Sequence, residues 1–197
     1  MLILLFNLPP AFVQPICLPY HDDPNEEYLT RMSNRSKKLE AWVAGWGATN
    51  PNGNYSFQVL NDQEMVKILY LVYFVFGVIV THFHVSGGNP ADKLQHISLP
   101  IFSMNDCRKR YESQQAFISE QSQLCAGGEE GRDSCSGDSG SILMTHDVLP
   151  EDHLYTWRFI GIVSFGPRTC GTKNMPGVYA KVRFYIDWIL DNVRVRE

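Results

Sequence analysis

Nine residues, Asp133 to Ser141 with the sequence DSCSGDSGS, restrict the fold more than any other stretch of this 197-residue chain. Gly137 and Gly140 bracket Asp138 and Ser139, and a residue without a Cβ takes backbone angles that other residues avoid. The run reads as a tight turn that lifts the Ser139 hydroxyl clear of the chain and lets another molecule approach the main chain closely. Nucleophilic catalysis by serine requires such a hydroxyl, with backbone N–H groups aimed where negative charge develops on an attacked carbonyl. Small and polar residues also build ordinary surface loops, so GDSG alone leaves both readings open.

Around this run the chain alternates short apolar stretches with scattered Gly and Pro. At 44% hydrophobic content it is long enough to bury a core as one β-rich domain. A formal net charge of -4, with no basic stripe, gives no electrostatic footprint for nucleic acid. Five cysteines suit an oxidising compartment. Toward the C-terminus Tyr185, Ile186, Trp188, Ile189 and Val193 recur at helical spacing, predicting a helix over 182–193 with one buried stripe. Asn34-Arg35-Ser36 and Asn54-Tyr55-Ser56 are N-glycosylation sequons, consistent with secretion.

The flanks of the nine residues discriminate between the two readings. In chain order, FVQPICLP (Phe12–Pro19), WVAGWG (Trp42–Gly47), DSCSGDSGS, GIVSFG (Gly161–Gly166) and CGTKNMPGVYAKV (Cys170–Val182) resemble landmarks of trypsin-like serine proteases of the chymotrypsin fold. PICLP, SFGPRTCGTK and MPGVYAKV look most like arthropod clip-domain proteases, which act in limited-proteolysis cascades. The resemblance implies an all-β architecture of two antiparallel barrels. This chain would hold most of the second barrel and the C-terminal α-helix, with the first barrel mostly missing.

The same resemblance implies a role for each matched residue. Ser139 would be the nucleophile, and the N–H groups of Gly137 and Ser139 the oxyanion hole. Asp133 would lie at the base of the specificity pocket with Ser134 beside it, and Gly166 and Gly177 would leave the pocket open to a long side chain. A carboxylate at the end of a narrow slot is costly unless a cation pairs with it, so the implied partner is a protein substrate with Arg or Lys at the cleavage site. Asp138 would pair with the amino terminus freed on activation. Disulfides would join Cys107 to Cys125 and Cys135 to Cys170. Cys17 is left over, and in clip-domain proteases the matching position is bridged to a segment upstream of the catalytic domain. The implied location is extracellular, with no cofactor.

Parts of the family pattern are missing. The mechanism needs a histidine to take the serine proton and an aspartate to orient it. None of His21, His82, His84, His96, His146 and His153 has the two preceding alanines and following cysteine of the family's catalytic histidine. MLILLFNLPPAF resembles the strand that follows the catalytic aspartate, and no basic residue leads into an Ile-Val-Gly-Gly-like activation site. Residues 1–197 are therefore expected to be a partial peptidase domain without useful activity by itself. Lacking an ammonium partner for Asp138, the nucleophile loop is expected to relax and lose its oxyanion geometry. The alternative is a non-catalytic homologue that binds a regulatory partner, which predicts damage at the nucleophile; Ser139, Asp138 and Asp133 are all intact. Ser141 and Ile142 stand where the family usually has Gly and Pro.

Between Ser56 and Lys93 the pattern breaks, and residues 57–92 read as an insertion containing the apolar run ILYLVYFVFGVIV (Ile68–Val80). A membrane-spanning helix needs about 20 apolar residues, more than this run supplies, so membrane association is not expected. A buried extra strand or helix remains open, and so does sequence foreign to the mature fold, such as translated intron, which is the reading taken. A charge-free run of β-formers is also an aggregation hazard. His82 and His84 lack a third ligand at metal-site spacing, so no metal is expected.

Overall fold

The strands follow a period-two alternation of small and apolar residues. In β1 (Glu40–Gly45), Ala41 and Val43 face one way while Trp42 and Ala44 face the other; in β3 (Gln95–Phe102), Ile97 and Leu99 join the first side. This computed structural model of the chain describes residues 16, 18–19, 40–48, 58–59, 91–148 and 155–192. The remaining strands are β2 (Gln58–Val59), β4 (Gln123–Gly127), β5 (Ile142–Val148), β6 (Tyr155–Phe165) and β7 (Pro176–Lys181).

Their order is β1-β5-β6-β7-β4-β3-β2, with β1 also pairing β3, so six strands close into an antiparallel barrel and β2 is added outside it. Ala41, Val43, Ile97, Leu99, Leu124, Ala126, Leu143, Ile160, Val163 and Tyr179 come from all six closing strands and fill the barrel. Register shifts at Leu143/Met144 and Val163/Phe165 bend β5 and β6. This is the second-barrel architecture expected from the resemblance.

Helix α1 (Met104–Glu112) starts at Ser103, whose hydroxyl accepts from the N–H of Asp106, and carries Lys109 and Arg110 in its last turn. The Cys107–Cys125 disulfide pins α1 to β4, and Cys135 bonds Cys170, so both expected pairings are present. A 3-10 turn at Val182–Tyr185 leads into α2 (Ile186–Asn192). Val182, Ile186 and Ile189 pack onto Ile142, Met144 and Phe159, with Ile16, Leu18 and Trp157 at the margin.

The single buried stripe expected for this helix needs correction. Tyr185 and Trp188 are 39% and 64% exposed. The buried line runs through Val182, Ile186 and Ile189, at i, i+4 and i+7, and leaves Tyr185 and Trp188 on its flank.

Gln58 and Val59 lie inside the segment read as an insertion, yet they pair with His96 and Gln95 of β3, so the sheet reaches into it. At the far end the N–H of Ala91 donates to the carbonyl of Trp46. The apolar run 68–80, Cys17, both sequons, Val193, His21, His82, His84 and His153 lie outside the described residues. No helix among the described residues is long and apolar enough to cross a membrane.

Candidate active site

Residues 128–141 connect β4 to β5, and this loop brings most of the predicted site residues together. Gly137 has φ 98° and Gly140 φ 82°, both in the left-handed region. At Gly140 a Cβ would meet no atom, so backbone angle alone calls for glycine there. Ser139 lies between Asp138 and Gly140 and is exposed. On its C-terminal side the N–H of Gly140 donates to the carbonyl of Val163, and the N–H of Val163 to the carbonyl of Ser141. These two bonds fix the loop against the strand that runs on to Gly166. Among the described residues the N–H groups of Gly137 and Ser139 donate to no acceptor.

Asp138 points away from Ser139, into the protein. It is 7% exposed; its Oδ1 accepts from the N–H of Gly47 at 2.7 Å and its Oδ2 from that of Cys135 at 2.9 Å. The neighbouring N–H of Ala48 donates to the carbonyl of Ser136 at 2.7 Å, a second tie between the same two segments. A Cβ on Gly45 or Gly47 would overlap the Asp138 carboxylate, so these glycines let it seat against the main chain. Burial raises the Asp138 carboxyl above its ordinary range, and the Cys135 and Gly47 amides work against that. In place of an ammonium partner, Asp138 has two backbone donors in this arrangement.

Asp133 is the second buried acid of this loop. It is 3% exposed, its Oδ2 accepts from the N–H of Gly171 at 3.1 Å, and its Oδ1 has no partner among the described residues. Burial is the main cause that pushes its carboxyl up to about 7, with the amides of Gly171 and Ser134 lowering it and Asp138 raising it further. A Cβ on Gly166 would lie 3.8 Å from the Cα of Gly177, so the two glycines face each other. A Cβ on Gly177 would press to 3.1 Å from the free Asp133 oxygen. Ser134 shares a 3.1 Å hydrogen bond with the hydroxyl of Tyr179, a phenol whose burial pushes its pKa up and keeps it neutral. The Cys135–Cys170 disulfide holds the loop to the segment carrying Gly171.

A small cavity, about 10 Å³, is lined by Asp133, Ser134 and Asp138 together with Val43, Gly45, Gly47, Gln95, His96 and Ile97. The two described histidines pack against tryptophans: His96 stacks on Trp42 with centroids 5.5 Å apart, and His146 lies 4.8 Å from Trp157.

Asp133 thus lies against Gly177, which faces Gly166, and Ser134 is joined to them through Tyr179, while Gly137, Asp138 and Ser139 share one turn. Sequence reasoning missed Tyr179, Gly171 and the Gly45/Gly47 pair. Gly47 and Asp138 are separated by 91 positions, so no local pattern connects them. Only the presence of all these residues inside recognised phrases was available as a signal.

Comparison with known proteins agrees with this geometry. The family model described as Trypsin matches residues 79–189, more than half of the chain. CLIP domain-containing serine protease B15 of Anopheles gambiae is 32% identical over 178 residues, covering 90% of this chain and 35% of that protein. Melanization protease 1 of Drosophila melanogaster is 30% identical over 93% of this chain and 34% of its own length. For the phenoloxidase-activating enzyme of Bombyx mori the values are 32%, 92% and 32%. The chain spans about a third of the length of these curated relatives. Among solved structures, mouse neuropsin, a serine protease, superposes with a TM-score of 0.50 at 25% identity, covering 78% of this chain and 48% of that one. With a six-stranded barrel, both disulfides and this family match in agreement, the chain belongs to the trypsin family of serine proteases and is similar to insect CLIP-domain proteases.

Proposed function

We propose that these 197 residues are the nucleophile-bearing part of a secreted, trypsin-like endopeptidase that cleaves protein substrates after Arg or Lys. The observation that carries the specificity is the floor acid. Asp133 is 3% exposed and keeps one oxygen unpartnered beneath two facing glycines, an arrangement completed by a substrate cation at the end of a long side chain. Ser139 would then attack the carbonyl that follows the bound Arg or Lys. As the C–O bond forms, negative charge moves onto the carbonyl oxygen, where the N–H groups of Gly137 and Ser139 would receive it.

The serine proton needs an acceptor, and no histidine in this sequence fits the family's catalytic position. We infer that the polypeptide by itself does not turn over, and that residues 1–197 act as part of a larger peptidase domain in which 57–92 is an insertion, although the family match begins at residue 79 and takes in its last part. Asp138 would be the acid that receives the activating amino terminus, with the small cavity beside it as the receiving space. Cys17 would bridge to a segment upstream. The comparison with CLIP-domain relatives supports an extracellular cascade as the setting.

Two measurements test the reading. Benzamidine, an aromatic amidinium, should bind the refolded chain with a calorimetrically measurable affinity that Asp133→Asn removes; equal binding by both proteins sinks the specificity assignment. Arg and Lys ester substrates should be hydrolysed no faster than in buffer. Turnover that disappears in Ser139→Ala would contradict the inference that the chain alone is inactive.

A further inference from the structure

Next to the floor acid stands a residue that the reading above does not use. On the side of β3 away from β1, β2 covers Gln95 and His96, β4 covers Ile101 and Phe102, and among the described residues the stretch between has no strand beside it. Ser98 lies in that gap. The Arg132 guanidinium fills it: Nη2 donates to the carbonyl oxygen of Ser98 at 2.5 Å and meets its Oγ at 2.7 Å, while Nη1 donates to Glu129 Oε2 at 2.8 Å. The main chain tightens the same turn, with the N–H of Arg132 reaching the carbonyl of Glu129 and that of Gly131 the carbonyl of Gly171.

Asp133 is therefore held from both sides. Its own Oδ2 is fixed by Gly171, and the preceding residue is clamped to the barrel wall through a planar fork that stands in for a missing rung of the sheet. Arg132 is not the counter-ion of Asp133, since the groups that perturb that carboxyl are Gly171, Ser134 and Asp138. What the fork fixes is where the floor of the slot lies relative to β3.

We propose that Arg132 is a positioning residue that sets the height of the slot floor, and so the discrimination between planar guanidinium-type and compact ammonium groups. This rests on the assignment of Asp133 as the floor of the specificity slot. A planar amidinium or guanidinium needs both carboxylate oxygens in register, whereas an ammonium is a point charge that tolerates displacement. Releasing the clamp therefore harms the planar group more.

The test is calorimetric binding of benzamidine and of cyclohexylmethylamine to wild type, Arg132→Met, Arg132→Lys, Ser98→Ala and Asp133→Asn. Arg132→Met should weaken benzamidine about tenfold more than the amine, a misplacement effect of modest size. Arg132→Lys, which keeps a donor for the Ser98 carbonyl, should restore about half of that change on a logarithmic scale. Ser98→Ala removes only the hydroxyl acceptor and should shift the ratio in the same direction by about threefold, a loss of one charged hydrogen bond's smaller part. A merely structural role would lower both affinities in parallel with the melting temperature and leave their ratio fixed; that outcome, or unchanged affinities in all Arg132 and Ser98 variants, overturns the proposal. Asp133→Asn separates the two levels. If it still binds both probes, the slot assignment itself has failed; if it loses both while Arg132→Met keeps the wild-type ratio, only the role of Arg132 has failed.

Discussion

Two buried carboxylates lie five positions apart in one loop and are treated in opposite ways. Both oxygens of Asp138 accept from backbone N–H groups, and glycines at 45 and 47 clear the space that lets them do so. Asp133 is buried as deeply, but while its Oδ2 accepts from Gly171, its Oδ1 has no hydrogen-bond partner among the described residues. A buried acid that is fully hydrogen-bonded stabilises the fold around it; one that is half satisfied costs stability until a cation arrives. On the proposed reading both acids await a cation, Asp138 the activating amino terminus and Asp133 a substrate side chain, but only Asp138 is already held through both oxygens by the main chain.

If that division is right, substitutions at the two acids have opposite signs. Asp138→Ala should cause the largest change, a loss of about 3 kcal/mol in denaturant unfolding, because two buried N–H donors lose their acceptor. A cost below about 0.5 kcal/mol would show that water replaces the carboxylate and would end its role as an anchor. Gly47→Ala attacks the same contact from the other side. Its Cβ would overlap the carboxylate, so it should lose about 2 kcal/mol while leaving benzamidine affinity within about threefold.

Asp133→Asn should give the smallest effect and reverse the sign, stabilising the chain by about 1 kcal/mol at pH 8. The pH dependence follows from the raised carboxyl. Its folded value of about 7 lies above the unfolded 3.8, so the folded chain retains a proton across that window. Stability should fall as pH rises from about 4 to 7 and then level off, and Asp133→Asn should remove that component of the slope. A variant less stable than wild type at pH 8 would place Asp133 with the anchors.

How much of this was visible in the sequence depended on the range over which each constraint acts. The nucleophile turn was legible because glycines at 137 and 140 meet a local backbone requirement. The proposed slot was legible because its four residues lie inside short phrases with a recognisable resemblance. The anchor was not, since Gly47 meets Asp138 only after β1 and the loop have been brought together by barrel closure. Arg132 stood in no phrase that the sequence singled out; its contact with Ser98 depends on where β2 and β4 stop along β3, which is a matter of register. At the C-terminus, residue type placed Trp188 in the core, but the buried line through Val182, Ile186 and Ile189 leaves it on the flank.

The most direct test of Asp133 as the acid that receives a substrate cation is the pH profile of benzamidine binding to the unmodified chain. Only the ionised carboxylate attracts an amidinium, so affinity should climb nearly tenfold per pH unit below about 7 and flatten above it, with one proton released per benzamidine bound on the acid side. A profile that stays flat between pH 5 and 9, with no proton released, would mean that the cation is received somewhere other than Asp133.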